Sequence, residues 1–464
     1  MLNETSIPGT DDWWVMQLAA DFGADLPRLH KLRSYADGTN ALPEEADQSM
    51  RDAYRRFLHT SRLNMADLIV STKVSRMKPQ GFRTAAPDDD DGDAVAWATW
   101  KRSGMKVGVR DFFTDAGTFG QAYLTTTGPQ QPSPDAQPLI VRSNGFSTVT
   151  RQHALQDWLS EAALQVGFDP INQVEILTLF RPGYMRQAFR EAKRSSVPDR
   201  GRKWSPGRGW AWVTDPIPLG YTDQVPVFKM SGPGGKGMFE KHLDSLDRVT
   251  QTIRDRLTIT AMQAFIQRGI VGDLPEYYPD GHELAGQKVD YDDIFKAGPA
   301  AFWRIPKGME VWESKVADIT PILGAVKDDQ KTVAAVTSTP IYILSPDAAN
   351  SSAEGAKAGG EAFQDSVEEW IDRADMPITL SQSFAFAAMG DTVRAALGEI
   401  EIDWGAVDRS SVTDKASASA QAKAGGLSQR YINRKIMGLT PGEAAQERQY
   451  KSDEAFEATL APTG

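Results

Sequence analysis

The alternation of apolar and polar positions changes period several times along the chain, and each change predicts an element. In "DQSMRDAYRRFLHTSRLNMADLIVSTKV", Met50, Tyr54, Leu58, Leu63, Leu68 and Val70 recur at broadly helical spacing. "DGDAVAWATWKRSGMKVGVRDFFTDAG" predicts a second helix, with Ala94, Trp97, Trp100 and Met105 as its apolar stripe and Gly117 as its stop. "QAYLTTTG", "PLIVRS", "EILTLFR" and "VPVFKM" read as strands. Residues 1–240 are therefore expected to be a mixed α+β region.

The pattern changes character after Gly232. "SGPGGKG" reads as a flexible stretch. Beyond it Leu243, Leu246, Val249, Ile253 and Leu257 step by three or four, and Met262, Phe265 and Ile266 continue the series. This predicts a helix of about seven turns, Leu243 to Ile270, with one apolar face. Its other face carries Asp244, Asp247, Arg248, Arg254, Asp255 and Arg256, which suits a rod packed against copies of itself. Short strands and loops follow over 271–312. Thr320-Pro321, a capping residue and then proline at the first helical position, opens a second helix to about Val336. Phe363, Val367, Trp370 and Ile371 lie on one face of a further helix, which Pro377 is expected to kink or end. "EIEIDWG" alternates as a strand with Ile400, Ile402 and Trp404 on one side. The C-terminal part is helical. Ser428 is a cap, Leu427 and Ile432 are a hydrophobic staple, Gly438 is a stop and Thr440-Pro441-Gly442-Glu443 is a capping box.

Composition narrows the classes. At 464 residues the chain is long enough for two or more structural units. No apolar run approaches the roughly 18 residues that span a bilayer, so no membrane association is expected. "MLNETSIPGTDDWW" lacks the basic-then-apolar order of a signal peptide. The absence of cysteine excludes disulfides, thiolate nucleophiles and thiolate metal sites. The net charge of −11 is unlike that of proteins that grip DNA, whose affinity comes from neutralising phosphates. An acidic chain meets DNA as a wall that DNA slides past. One segment runs against this balance: Arg181 to Arg208 holds nine Lys/Arg against Glu191 and Asp199. It reads as an exposed hairpin or loop, either simply solvated or in contact with DNA or an acidic partner.

Residues for catalysis or metal binding are not found. His30, His59, His153, His242 and His282 form no metal-binding pair. Asp88 to Asp91 with Asp93 start like a calcium loop. With Gly92 at the loop's glycine, Pro87 takes the first ligand position and Ala98 the twelfth, so the acids read as a solvated loop. Around Lys236 a phosphate loop fails, because Met230 stands where its first glycine belongs and Gly237 where its hydroxyl belongs. No Gly-x-Ser-x-Gly elbow occurs. The expectation is a non-enzymatic chain without catalytic, cofactor-binding or metal-ligating residues.

Three stretches carry a resemblance. They are "VPVFKMSGPGGKGMFEKHLDSLDRVTQTIRDRL", "VAAVTSTPIYILSPDAANSSAEGAKAGGEAF", and "IEIDWGAVDRSS" followed by "GLSQRYINRKIMGLTPGEAAQERQ". In this order the chain resembles the portal proteins of tailed bacteriophages, in the siphophage-type branch common in phages of actinobacteria. The resemblance covers nearly the whole chain. It departs from the family at Gly355, inserted between Glu354 and Ala356.

The resemblance implies an α+β portal fold: a mixed α/β wing, a long α-helical stem, a small β-rich clip and a short α-helical crown. It places the first part of the wing at 1–240, the stem helix at 241–270 and the clip at 271–312. A second stem helix follows at 313–339. Residues 340–410 would be the tunnel loop, a long helix and the rest of the wing, and 411–464 the crown. It further implies a homo-oligomeric ring of about twelve subunits with head-to-tail contacts. Ser345, Asp347, Asn350, Ser351 and Ser352 would be tunnel-loop residues near double-stranded DNA, touched without sequence preference. Tyr277, Tyr278, Asp280 and His282 would be clip residues facing the motor and later the adaptor. The implied partners are the terminase large subunit, the major capsid protein, a scaffold and the head–tail adaptor. The implied place is the portal vertex of the virion, after assembly in the host cytoplasm. Competing readings are another capsid or adaptor protein, a DNA-processing enzyme, and a DNA-binding protein acting through 181–208.

Overall fold

The computed structural model describes residues 7–40, 62–86, 92–128, 137–195, 204–264, 268–272, 275–291, 310–313, 320–344, 353–408 and 411–460. The chain divides into two units. One comprises Met1–Pro43, Leu63–Asp247 and Asp329–Gly464, the other Glu44–Arg62 and Arg248–Asp328.

The larger unit opens with α1 (Asp11–Ala36). Thr10 caps it by accepting from the Trp13 N–H, and Asp11 and Asp12 complement the dipole of its first turn. Then come α2 (Met65–Val74), β1 (Pro79–Arg83), α3 (Ala94–Arg102) and α4 (Met105–Phe119). Where the apolar stripe predicts one helix over 94–117, the chain makes two. Gly104 sits at φ 70, a left-handed turn that glycine adopts without steric cost and that breaks the helix. Gly117 lies inside α4 and the stop is Gly120, at φ 72.

Among the described residues the strands form three sheets in this unit. β2 (Gln121–Thr127) is flanked by β3 (Leu139–Asn144) and β10 (Val227–Ser231). A second sheet has the antiparallel order β4 (Thr148–Gln152), β5 (Ser160–Asp169), β6 (Val174–Arg181), β7 (Tyr184–Glu191), β8 (Ala211–Trp212), with β9 (Ile217–Pro218) also on β7. Leu164 faces Leu179 and Leu177 faces Ala188 across it. Of this sheet the pattern-based reading finds only β6.

The smaller unit contains most of α5 (Leu243–Ala264), then β11 (Arg268–Val271) paired antiparallel with β12 (Glu310–Glu313), and the first half of α6 (Thr320–Val336). Ile270, expected in the long helix, is in β11 instead; Phe265 and Ile266 lie outside the described residues. The helix start at Thr320-Pro321 is as expected.

The larger unit resumes through α7 (Ile341–Leu344) and α8 (Ala353–Ala388). Pro377 does not end α8. Trp370, Ile371 and Ala374 are buried before it, and Ile378, Leu380 and Phe384 after it. Burying both halves outweighs the roughly 3 kcal/mol that an interior proline costs. Phe384 meets Phe228 of β10 edge-on at 4.8 Å, joining α8 to the β2 sheet.

β13 (Glu401–Trp404) pairs with β1, near the other end of the chain. Ile400 is buried, but Ile402 and Trp404 are only half-buried, and the buried member of the strand is Asp403. Its carboxylate receives Arg434 Nη2 at 2.7 Å and tethers the C-terminal helices α9 (Val412–Ala424) and α10 (Pro441–Leu460). Asp403→Ala leaves the partly buried Arg434 without this carboxylate, at a cost of about 3 kcal/mol. Hydrogen exchange across 411–460 is expected to rise while β2 and β5 keep their protection. The caps Ser428, Thr440–Glu443 and Gly438 form as predicted. Leu427 stays 46% exposed and does not staple the turn closed.

On α4, Asp115 accepts from Asn144 Nδ2 and lies 3.9 Å from Arg142. Burial pushes its pKa up to about 6, against the opposing pull of Asn144 and Arg142. The folded state therefore holds this proton more tightly than the unfolded chain does. The resulting stability is complete below the unfolded carboxyl range and is lost as pH rises through about 6. Asp115→Asn is expected to stabilise the chain by about 2 kcal/mol at pH 8 and by almost nothing at pH 4, read from urea midpoints at the two pH values.

Candidate functional site

The root of α5 is tightly built. "SGPGGKG", expected to be flexible, is fixed backbone to backbone against the end of α4. The Gly232 N–H donates to Gly120 O at 3.0 Å, and the Met238 N–H to Gly117 O at 2.7 Å. The glycines allow this approach. A Cβ on Gly237 would lie 2.4 Å from Thr118 O, and one on Gly232 would lie 2.7 Å from the Trp370 ring.

Arg28 of α1 closes the knot. Its Nη2 donates to Phe119 O and to Gly235 O, each at 2.9 Å, and to Glu240 Oε2 at 2.7 Å. Nε donates to Glu240 Oε1 at 2.7 Å and Nη1 to Asp25 at 3.1 Å. The fork of donors is thereby used on two carboxylates and two carbonyls. Burial alone would lower the Arg28 pKa, but the Glu240 hydrogen bonds and the two carboxylate charges outweigh it and hold it above its ordinary value. Burial likewise opposes Glu240 ionisation, yet Arg28 and the Gly237 N–H hold its pKa below the usual range. Two turns further on, Tyr35 Oη reaches both oxygens of Asp247 on α5, at 2.8 and 2.7 Å. None of this is foreseen from the sequence, where Asp25 and Arg28 look like an ordinary i, i+3 surface pair.

The far end of α6 is also held. Thr337 Oγ1 donates to Val333 O at 2.7 Å and lies 2.9 Å from Thr339 Oγ1, both threonines being buried. Between them Ser338 adopts φ 47, a left-handed conformation that a side chain rarely takes. This corner turns α6 into α7. The chain then enters 345–352, so the tunnel-loop candidates Ser345, Asp347, Asn350, Ser351 and Ser352 lie outside the described residues.

The clip candidates are described. Residues 275–291 close on themselves: Tyr277 bridges to Lys288, the Val289 N–H donates to Glu276 O, and Tyr291 Oη donates to Pro275 O. Tyr278 stacks on His282 with ring centroids 4.5 Å apart. Tyr277, Asp280 and His282 are exposed. The fold thus brings Tyr278 and His282 together, sets Tyr277 next to them in an isolated bridge to Lys288 and leaves Asp280 on the turn.

The described part of the basic segment holds the strand β7, and three of its arginines are engaged. Arg181 lies over the Trp14 ring, Arg186 over Trp212 and Arg190 over Trp210. Arg186 pairs with Asp11 at 2.9 Å, and Arg190 donates to the buried Glu175 at 2.8 Å. These arginines bind the sheet to α1 and its flanking loop rather than facing phosphate. Residues 196–203 lie outside the described part. Among the described residues no cluster of three metal-ligating side chains occurs, and no helix is long and apolar enough to cross a membrane.

In sequence an α+β region is followed by a long helix, a small β pair, a second helix and the rest of the α+β region, the order that the resemblance to portal proteins implies. No protein-family model matches the chain. It is 26% identical, over 405 residues, to the portal protein of Mycobacterium phage D29, a match covering 84% of this chain and 78% of that one. The chain is related to the portal proteins of tailed phages. Solved structures similar to it include the neck of a native gene transfer agent particle, computed with C12 symmetry. That match has TM-score 0.44 and 12% identity, and covers 92% of this chain and 98% of that one. The neck of the empty particle, computed with C6 symmetry, matches at TM-score 0.42 and 11% identity, covering 87% and 97%. The relationship rests on the sequence.

Proposed function

We propose that this chain is a portal protein, a structural ring at one capsid vertex that serves as head–tail connector and as the channel for genome packaging and ejection. The observation that carries the reading is the 26% identity to a phage portal protein along 84% of the chain. Residues 345–352 are read as the tunnel loop, where Asp347, Asn350 and three serines offer small polar groups without a cation to hold phosphate. Residues 271–312 are read as the clip. Its exposed Tyr277, Asp280 and His282 and the stacked Tyr278 present a docking face first to the terminase large subunit and then to the head–tail adaptor. The major capsid protein and a scaffold are the further partners, in a particle assembled in the host cytoplasm. A net charge of −11 per subunit gives the channel a field that repels phosphate and keeps DNA from sticking. The work of packaging comes from a separate ATPase.

Native mass spectrometry and negative-stain class averages of the purified chain test this. Closed rings of about twelve copies with an open centre are expected. A compact dimer or tetramer without a channel overturns it.

A further inference from the structure

The nine cations of residues 181–208 fall into three sets of three. Arg181, Arg186 and Arg190 are engaged with tryptophans and acids of their own sheet and of α1. Arg200, Arg202 and Lys203 lie outside the described residues. Lys193, Arg194 and Arg208 are exposed and have no ion pair among the described residues.

These last three stand at the base of one loop. β7 and β8 pair at Ala188–Trp212 and Phe189–Ala211, so the chain leaves the pair through Lys193-Arg194 and returns to it through Arg208. The returning limb is braced. Arg190, held by the buried Glu175, donates through Nη1 to Pro206 O at 2.7 Å, and Trp210 Nε1 donates to the same oxygen at 2.5 Å. Gly207 and Gly209, at φ 63 and 95, let this limb lie against Arg190.

α8 carries a surface of opposite sign. Glu361, Asp365, Glu368 and Asp372 recur at i, i+4, i+7 and i+11 and are all exposed, while Phe363, Val367, Trp370, Ile371 and Ala374 bury the other side of the helix. None of the four acids has an ion pair among the described residues; Glu369 beside them pairs with Arg373 at 3.1 Å. Like charges one turn apart repel, so the stripe destabilises the helix that bears it. Its field reaches the half-buried Asp375. Burial raises the pKa of that carboxyl, and the charges of Asp372 and Glu401 raise it further, against a hydrogen bond from Trp404.

We infer that the base of the β7–β8 loop docks on the acidic stripe of α8 of the next copy of this chain. Both surfaces belong to the larger unit, and each offers the counter-charge that the other lacks. The uncompensated stripe favours a second copy over a DNA backbone as the occupant, because one contact then neutralises both surfaces. Complementary surfaces at different places on one chain repeat head to tail, and the ring closes when the rotation closes. The inference rests on the ring reading above and specifies one of its contacts.

Rings assembled from a mixture of 14N- and 15N-labelled full-length chains, treated with a carbodiimide, test it. This reagent joins a carboxyl to an amine only where they touch. The expected products are peptides linking Lys193 to Glu361, Asp365, Glu368 or Asp372, with one partner heavy and the other light. Rings that yield no such peptides, or only pairs of uniform isotope, overturn the docking and leave the ring standing. A chain that never forms rings overturns both. A second measurement uses charge reversal. The triple variant Lys193→Glu, Arg194→Glu, Arg208→Glu should assemble about tenfold more weakly at low salt, with the difference shrinking as salt is added. Adding Glu361→Lys, Asp365→Lys and Glu368→Lys should restore most of it. Unchanged assembly of the triple variant overturns the inference. So does a variant whose only change is weaker binding of a short labelled DNA duplex, which would make DNA the occupant of the loop.

Discussion

Arg28→Ala lowers the stability of the purified chain by about 3 kcal/mol, the usual cost of breaking a largely desolvated ion pair from one side. The change strands Glu240, which keeps only the Gly237 N–H, and leaves Asp25 without its cation. The carbonyls of Phe119 and Gly235 also lose their donor. Arg28→Lys recovers less than half, because an ammonium offers no planar fork to Glu240 and to two carbonyls together. Urea unfolding with a probe in the larger unit measures both. A loss below about 1 kcal/mol for Arg28→Ala would show the knot to be held by its glycines alone.

Gly237→Ala has an effect at least as large, about 3 kcal/mol or more. The added methyl would stand 2.4 Å from Thr118 O and 2.8 Å from Gly117 O, and the obstacle is helix backbone that no rotamer change moves aside. Gly234→Ala is the control. It lies three residues away in the same turn, meets nothing within 4 Å, and bears only the strain of its φ of 62. It should cost about 1 kcal/mol. Comparable losses at the two sites would mean that backbone freedom, not close approach, explains the glycines.

Local signals in the sequence were read well and distant ones were not. The strands at 121–127, 174–181 and 227–231 have enough β-branched and aromatic residues to be visible alone, and the caps at Ser428 and Thr440 are contained within four residues. β5 escaped because Ala162, Ala163 and Leu164 are all buried, which erases the alternation that marks a one-sided strand. "SGPGGKG" was misread because glycine serves equally for mobility and for close approach. The deciding neighbour, 117–120, lies more than a hundred residues away. Arg181, Arg186 and Arg190 read as solvated or facing DNA or an acidic partner because their tryptophans, Trp14 and those at 210 and 212, lie far off or outside the segment. The clip candidates could be located, whereas Ser345, Asp347, Asn350, Ser351 and Ser352 fall outside the described residues.

The attachment of α5 to α1 has a mechanical meaning. Arg28 to Glu240, in the turn that leads into α5, and Tyr35 to Asp247, in the first turns of α5, are two rungs from α1 to the foot of that helix. A pull along that helix loads both rungs in shear and in parallel, so neither yields before the other shares the load. Bonds arranged in series would instead unzip one at a time under a small force. The foot of α5 is thus a stiff coupling of the first turns of that helix to α1.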